Sequence, residues 1–353
     1  SVINMTGMFN YASAFNQDIG SWDVSKVKYI IGMFYGATAF NQDIGAWDVS
    51  SVTNMRNMFF QAAAFNQDIS SWDVSNVTDM ESMFGSTAFN KDIGTWDVSK
   101  VTAMAGMFGS TAFNKDIGSW DVSKVTDMSY MFNNAPAFNQ DIGSWDVSKV
   151  TSMQNMFANS AEVSGINSAF NQDIGSWDVS NVTSMTQMFY NAQAFNQDIG
   201  NWDVSGVNNM EYMFLSAAAF NQDLTKWCVT NILTLPTNFN TSSALTEANK
   251  PKWGTCPVWR GSKITFTKTG GSDPSVEANQ DRITSNVWIT RGNTGGQIFN
   301  IKKESVSNKT NSPIGTKWAV GTLDQIDSLT FKKFREAVLD VTDKLKNIVG
   351  KNL

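Results

Sequence analysis

The chain of 353 residues is long enough for two compact units, carries a net charge of −6 and contains no histidine. That absence excludes Ser-His-Asp and Cys-His nucleophiles and every histidine-ligated zinc or iron site. Residues 1–257 hold 11 Lys/Arg against 23 Asp/Glu, a net of −12, whereas residues 258–353 carry +6, so the acidic part should repel a nucleic-acid backbone.

The chain opens mid-motif. Ser1 to Phe9 matches the second half of a repeat, so a fragment of a longer precursor is expected and the missing leader carries no weight. From there FNQDIGSWDVSKVTxMxxMF recurs, with its first Phe at Phe15, Phe40, Phe65, Phe89, Phe113, Phe138, Phe170, Phe195 and Phe220. The step is 24 or 25 residues except for one of 32. Such a period predicts a solenoid, in which each repeat buries its apolar face only against its neighbours. No run of 18 apolar residues occurs, so no membrane-spanning helix is expected.

The third repeat, Phe65 to Phe84, gives the expected coil. Trp72 and Val74 alternate with Asp73, the period of a strand. Ser75-Asn76 is turn material, and Val77, Met80, Met83 and Phe84 suit the apolar face of a helix of about two turns. Stacked strands ~4.8 Å apart would make nine coils roughly 45 Å long.

All 17 methionines fall at the VTxMxxMF positions and are read as adaptable core filling. Trp22 to Trp227, one per repeat, share a strand face with the inward Val and are read as core as well. Asn16, Asn41, Asn66 and their equivalents are expected to form an internal amide ladder bonded to the next coil. The outward strand face shows Ser-Asp-Ser, and it aligns Asp23, Asp48, Asp73, Asp97, Asp121, Asp146, Asp178 and Asp203 as the candidate binding face. Carboxylates ~5 Å apart repel by roughly 0.8 kcal/mol in water. Something must offset this: splaying into solvent, bonds from the flanking Ser, Ca²⁺ bridging or a cationic partner. The first two are preferred, since a row of single carboxylates supplies few of the oxygens Ca²⁺ requires. A second acidic column, the Asp of FNQD, is broken where Lys91 and Lys115 replace Gln. Seven extra residues around Glu162 to Asn167 read as a loop.

In the last repeat the motif becomes Trp227-Cys228-Val229, and the second cysteine is Cys256. Their 28-residue separation at the end of the array suggests a disulfide that pins a cap and an oxidising compartment.

The run I-x-x-W-x-V, then VTxMxxMF and AFNQDI, resembles the BspA-type leucine-rich repeat of bacterial surface proteins, over about Ser1 to Pro257. The WCV…WGTCP ending is similar to the terminus of that family. The resemblance implies a secreted or surface-anchored bacterial protein used in adhesion or partner contact, and no enzyme.

After Pro257, Lys263 to Thr267, Asn286 to Thr290 and Gln297 to Ile301 alternate as strands, and Leu329 to Val349 has helical spacing. This part resembles an uncharacterised module of marine Bacteroidetes repeat proteins, and the chain is expected to stop inside it. The expected division is therefore 1–227, an α/β solenoid of leucine-rich-repeat kind with nine coils; 228–257, a disulfide-linked cap; and 258–353, a small β-rich or α+β domain. The expected function is adhesion, or recognition of a surface protein or glycan, through the acidic face, with no cofactor, no metal and no nucleic acid. The alternative is a carbohydrate-binding accessory module of a larger secreted protein, with Trp259, Trp288 and Trp318 as stacking platforms.

Overall fold

The computed structural model describes residues 2–160 and 168–257 in full, and beyond them only the backbone of three strands. The expected loop around Glu162 to Asn167 and the helix over Leu329 to Val349 lie outside the described residues. The chain divides into two compact units: Ser1–Trp227 with Asn231–Trp253, and Cys228–Thr230 with Gly254–Leu353. The segment expected as one cap is thus shared between the two.

Side-chain chemistry sets the interior of the first unit. In the third repeat Phe65, Ile69, Trp72, Val74, Val77, Met80, Met83 and Phe84 are all buried. The Phe rings make two columns, one through Phe34, Phe59 and Phe84 at 5.6 and 5.9 Å, the other through Phe40, Phe65 and Phe89 at 6.0 and 6.1 Å. Where one repeat leads into the next the columns touch, as in Phe59–Phe65 at 3.8 Å. Stacked aromatic pairs contribute about 0.5–1.5 kcal/mol each beyond their burial. Each buried indole also ties consecutive repeats: Trp72 Nε1 donates to the Ile44 carbonyl at 3.1 Å, and Trp120 Nε1 to Ile93 at 3.2 Å. A buried N–H needs such a partner.

The backbone differs from the expected strand and helix. Trp72 N–H closes a turn on the Ile69 carbonyl at 3.1 Å and Val77 N–H on Val74 at 2.9 Å, so Trp-x-Val lies between two corners and pairs with no neighbouring strand. Parallel pairing runs instead through the residue before the first Met, or before Ile30 where it replaces that Met, linking Asn4, Tyr29, Asn54, Asp79, Ala103, Asp127, Ser152, Ser184 and Asn209 in succession. Beyond it, the N–H groups of Met55, Asn57, Phe59 and Gln61 donate to the carbonyls of Asp79, Glu81, Met83 and Gly85 in the next repeat. Intervening residues close three-residue turns, such as Met58 N–H on Met55. Asn57 and Gln61 have φ of 56° and 61°. A helix needs right-handed φ throughout and bonds four residues back; here every second N–H leaves for the next repeat. The 3-3-1 spacing of the apolar residues fits consecutive tight turns as well as it fits a helix.

The asparagine ladder is present, half-buried from Asn41 to Asn171 and exposed at Asn16, Asn196 and Asn221. Asn41 Oδ1 accepts Asn66 N–H at 3.0 Å, and Asn114 Oδ1 accepts Asn139 N–H at 3.0 Å. Gln67 Nε2 adds a second bond to Asn41 Oδ1 at 3.0 Å. At the far end of this unit Thr246 N–H and Asn249 Nδ2 take those places on Asn221. Phe239 meets Phe214 edge-on at 5.4 Å, and Trp253 meets Phe239 edge-on at 4.9 Å, which ends the aromatic column.

In the second unit Cys228 and Cys256 form a disulfide, and Val229 N–H donates to the Thr255 carbonyl at 2.9 Å. Strands β1 (Ile264–Thr265), β2 (Asn286–Arg291) and β3 (Gln297–Lys302) make an antiparallel sheet in the order β1-β2-β3, with Val287 opposite Ile301 and Ile264 opposite Val287.

Candidate functional site

A short corner in each repeat positions the aspartate row. Val24 is buried and Ser25 turns the chain, so Asp23 is left outside with its Oδ1 accepting both the Ser25 N–H at 3.1 Å and the Ser25 hydroxyl at 2.6 Å. The same backbone bond recurs at Asp48, Asp73, Asp97, Asp121, Asp146, Asp178 and Asp203, each from the residue two places on. Asp178 and Asp203 are half-buried and the other six exposed. These local bonds are Asx corners, which an aspartate makes readily.

The hydroxyl and then the N–H of the following serine hold Asp23, Asp73, Asp97 and Asp121 below the usual carboxylate range. The Asp97 charge beside Asp73 works the other way and is a smaller influence. Lys100 lies close enough to favour the ionised forms of Asp73 and Asp97, and Lys124 those of Asp97 and Asp121. Lys100 also donates to Asn76 Oδ1 in the preceding repeat at 2.7 Å. The face is therefore of mixed charge where Lys26, Lys100, Lys124 and Lys149 follow the aspartates, and acidic where Ser51, Asn76, Asn181 and Gly206 stand instead.

The second acidic column builds its own corners, with Gly20 N–H on Asp18 Oδ1 at 2.9 Å and Gly118 N–H on Asp116 Oδ1 at 2.9 Å. Among the described residues no group of three or more His, Cys, Asp or Glu is arranged to hold a metal ion, and no helix is long and apolar enough to cross a membrane. Trp288 falls in β2, of which only the backbone is described; Trp259 and Trp318 lie outside the described residues.

One feature escapes the repeat pattern. On the face carrying the two residues between the methionines and the two after Phe, repeats differ from one another. A depression of about 300 Å³ lies there, between Phe60 at one end and Tyr130 and Asn133 at the other. Aligning the repeats by their recurrent residues hides it, because its lining sits at the positions that vary.

A search of curated proteins and one of solved structures gave no significant match. Over residues 1–88, 68–168 and 161–269 the chain matches a family described as "Mycoplasma protein of unknown function, DUF285". Those three tandem matches take in most of the sequence and follow its repeats, so the chain belongs to the DUF285 family.

Proposed function

We propose that the chain is a secreted or cell-surface recognition protein, a solenoid of the BspA-like leucine-rich-repeat kind, which holds a protein or glycan partner along its aspartate row. The observation that carries this is the fixed corner: eight of the nine repeats set Oδ1 of one carboxylate by its own serine, in register with the next, and six of those eight carboxylates are exposed. A rigid periodic row loses little entropy when a partner docks. The disulfide between Cys228 and Cys256 supports an oxidising compartment. An open row without a cleft suits binding rather than paired-carboxylate hydrolysis.

The test has two arms. Intact source cells are treated with a membrane-impermeant label, and the cysteines are alkylated without reductant; surface labelling with Cys228 and Cys256 linked is expected. A cytosolic chain with both thiols alkylated sinks the reading. For the row itself, beads coated with the triple variant Asp73→Asn, Asp97→Asn, Asp121→Asn should adhere less to partner cells than wild-type beads. Equal adhesion removes the aspartates from the interface.

A further inference from the structure

In most repeats the second residue after the VTxMxxMF methionine pair is large or polar: Tyr35, Phe60, Asn133, Tyr190 and Leu215. The third and fourth repeats carry Gly85 and Gly109 there, and Ser86 and Ser110 one place on. Gly85 lets the Phe60 ring lie against the backbone, since a Cβ at that position would come within 2.7 Å of the ring. Tyr35 braces Phe60 from below with ring centroids 5.1 Å apart. At the other end Tyr130, 43 % exposed, is held by the Gln154 amide, which donates to its hydroxyl at 2.8 Å.

Between these aromatics the lining is polar and partly unpaired. The Ser86 and Ser110 hydroxyls have no protein partner among the described residues. Asn133 donates through Nδ2 to the Ala158 carbonyl at 3.2 Å, which leaves its Oδ1 free. Half-buried Glu81 takes Arg56 on one oxygen at 2.8 Å and keeps the other. A half-buried Phe60 ring and an exposed Tyr130 ring, flanking two free hydroxyls and one open oxygen each of Asn133 and Glu81, match a molecule with apolar C–H faces and a hydroxylated rim. A phosphate or acidic sugar is disfavoured, because the lining carries Glu81 and the nearby Arg56 guanidinium is already paired with it. A peptide strand finds no free sheet edge in it.

We propose that the depression between Phe60 and Tyr130 is a binding site for a neutral saccharide, accommodating a pyranose ring against these aromatics with hydroxyls bonded to Glu81, Ser110 and Asn133. The site is independent of the aspartate row, and its test involves no cell.

Saturation-transfer NMR on the full chain uses methyl β-glucoside, methyl β-galactoside and N-acetylglucosamine as probes. Transfer to the ring protons of at least one is expected. Gly109→Tyr fills the depression with a side chain that Tyr190 already places at the same repeat position, so the fold should accept it. It should weaken binding by about tenfold or more with an unchanged melting temperature. Glu81→Gln should weaken binding less and leave aromatic-proton transfer in place. No transfer from the wild type to any probe overturns the proposal, as does equal transfer in Gly109→Tyr. So does binding of a short peptide pool in the absence of any saccharide response.

Discussion

Asp97 serves its own backbone before it serves anything outside. Its Oδ1 takes the Ser99 N–H at 3.0 Å, and that bond holds the corner between the buried Trp96 and Val101. Asn offers the same oxygen without the charge; Ala offers nothing. Asp97→Ala is therefore expected to destabilise by about 1 kcal/mol and Asp97→Asn by at most a few tenths, measured by urea unfolding. Equal losses would mean that the charge, not the corner, matters. A second residue-scale test concerns the left-handed positions. Gly32 at φ 55° and Gln61 at φ 61° hold the two left-handed places of the turn run, one just before the second Met and one two residues past the Phe, in different repeats. Gly32→Ala should cost about 1 kcal/mol and Gln61→Gly should gain some tenths, because a Cβ is strained there.

At the scale of the element, the amide ladder contains its own control. Gln67 and Gln140 each donate to the asparagine of the preceding repeat, at 3.0 and 2.8 Å to Oδ1. Lys91 and Lys115 stand at that place in two other repeats, where Asn66 and Asn90 Oδ1 accept only a backbone N–H. The double variant Lys91→Gln, Lys115→Gln should raise stability by roughly 1 kcal/mol per site, read as a higher melting temperature. The ladder and the inward set from Phe65 to Phe84 are legible in the sequence, because inside and outside are decided by side-chain chemistry. The backbone path is not. Val77, Met80, Met83 and Phe84 have a spacing that a helix and a series of three-residue turns share, and the turns also tolerate Ser82, Tyr130 and Gln187 at positive φ. Glycine marks that place at Gly7, Gly32 and Gly106, but a tyrosine or glutamine in other repeats gives no sign of a turn. The depression at Gly85 and Gly109 is invisible for a different reason, since it arises from two neighbouring repeats being small together.

For the whole molecule, acid is the solvent condition with a clear sign. Asp23, Asp68, Asp73, Asp97, Asp121 and Asp223 sit below their unfolded value of 3.8, through hydrogen bonds from the residue two places on. A lowered folded pKa gives stability that is complete above 3.8 and lost as pH falls through the folded values beneath it. Glu81, raised by burial, has the opposite sign but is one group against six among the described residues. With no histidine to titrate, the melting temperature should stay flat from about pH 8 to about pH 5 and fall steadily below 3.8. A drop near pH 6 in a scanning calorimeter would contradict this.

The asparagine ladder gives the stack a direction. Every Oδ1 reaches forward to an N–H supplied by the following repeat, and at Asn221 the residues Thr246 and Asn249, which belong to no repeat, satisfy it in the same way. The rung is made equally well across 24, 25 or 32 residues, as Asn66 to Asn90, Asn41 to Asn66 and Asn139 to Asn171 demonstrate. Copy number is thus a free variable: excising one whole unit, from Phe89 through Ala112, leaves each remaining amide facing an equivalent donor. A chain so built can lengthen or shorten its exposed faces by duplication or loss of a unit, without inventing a new contact.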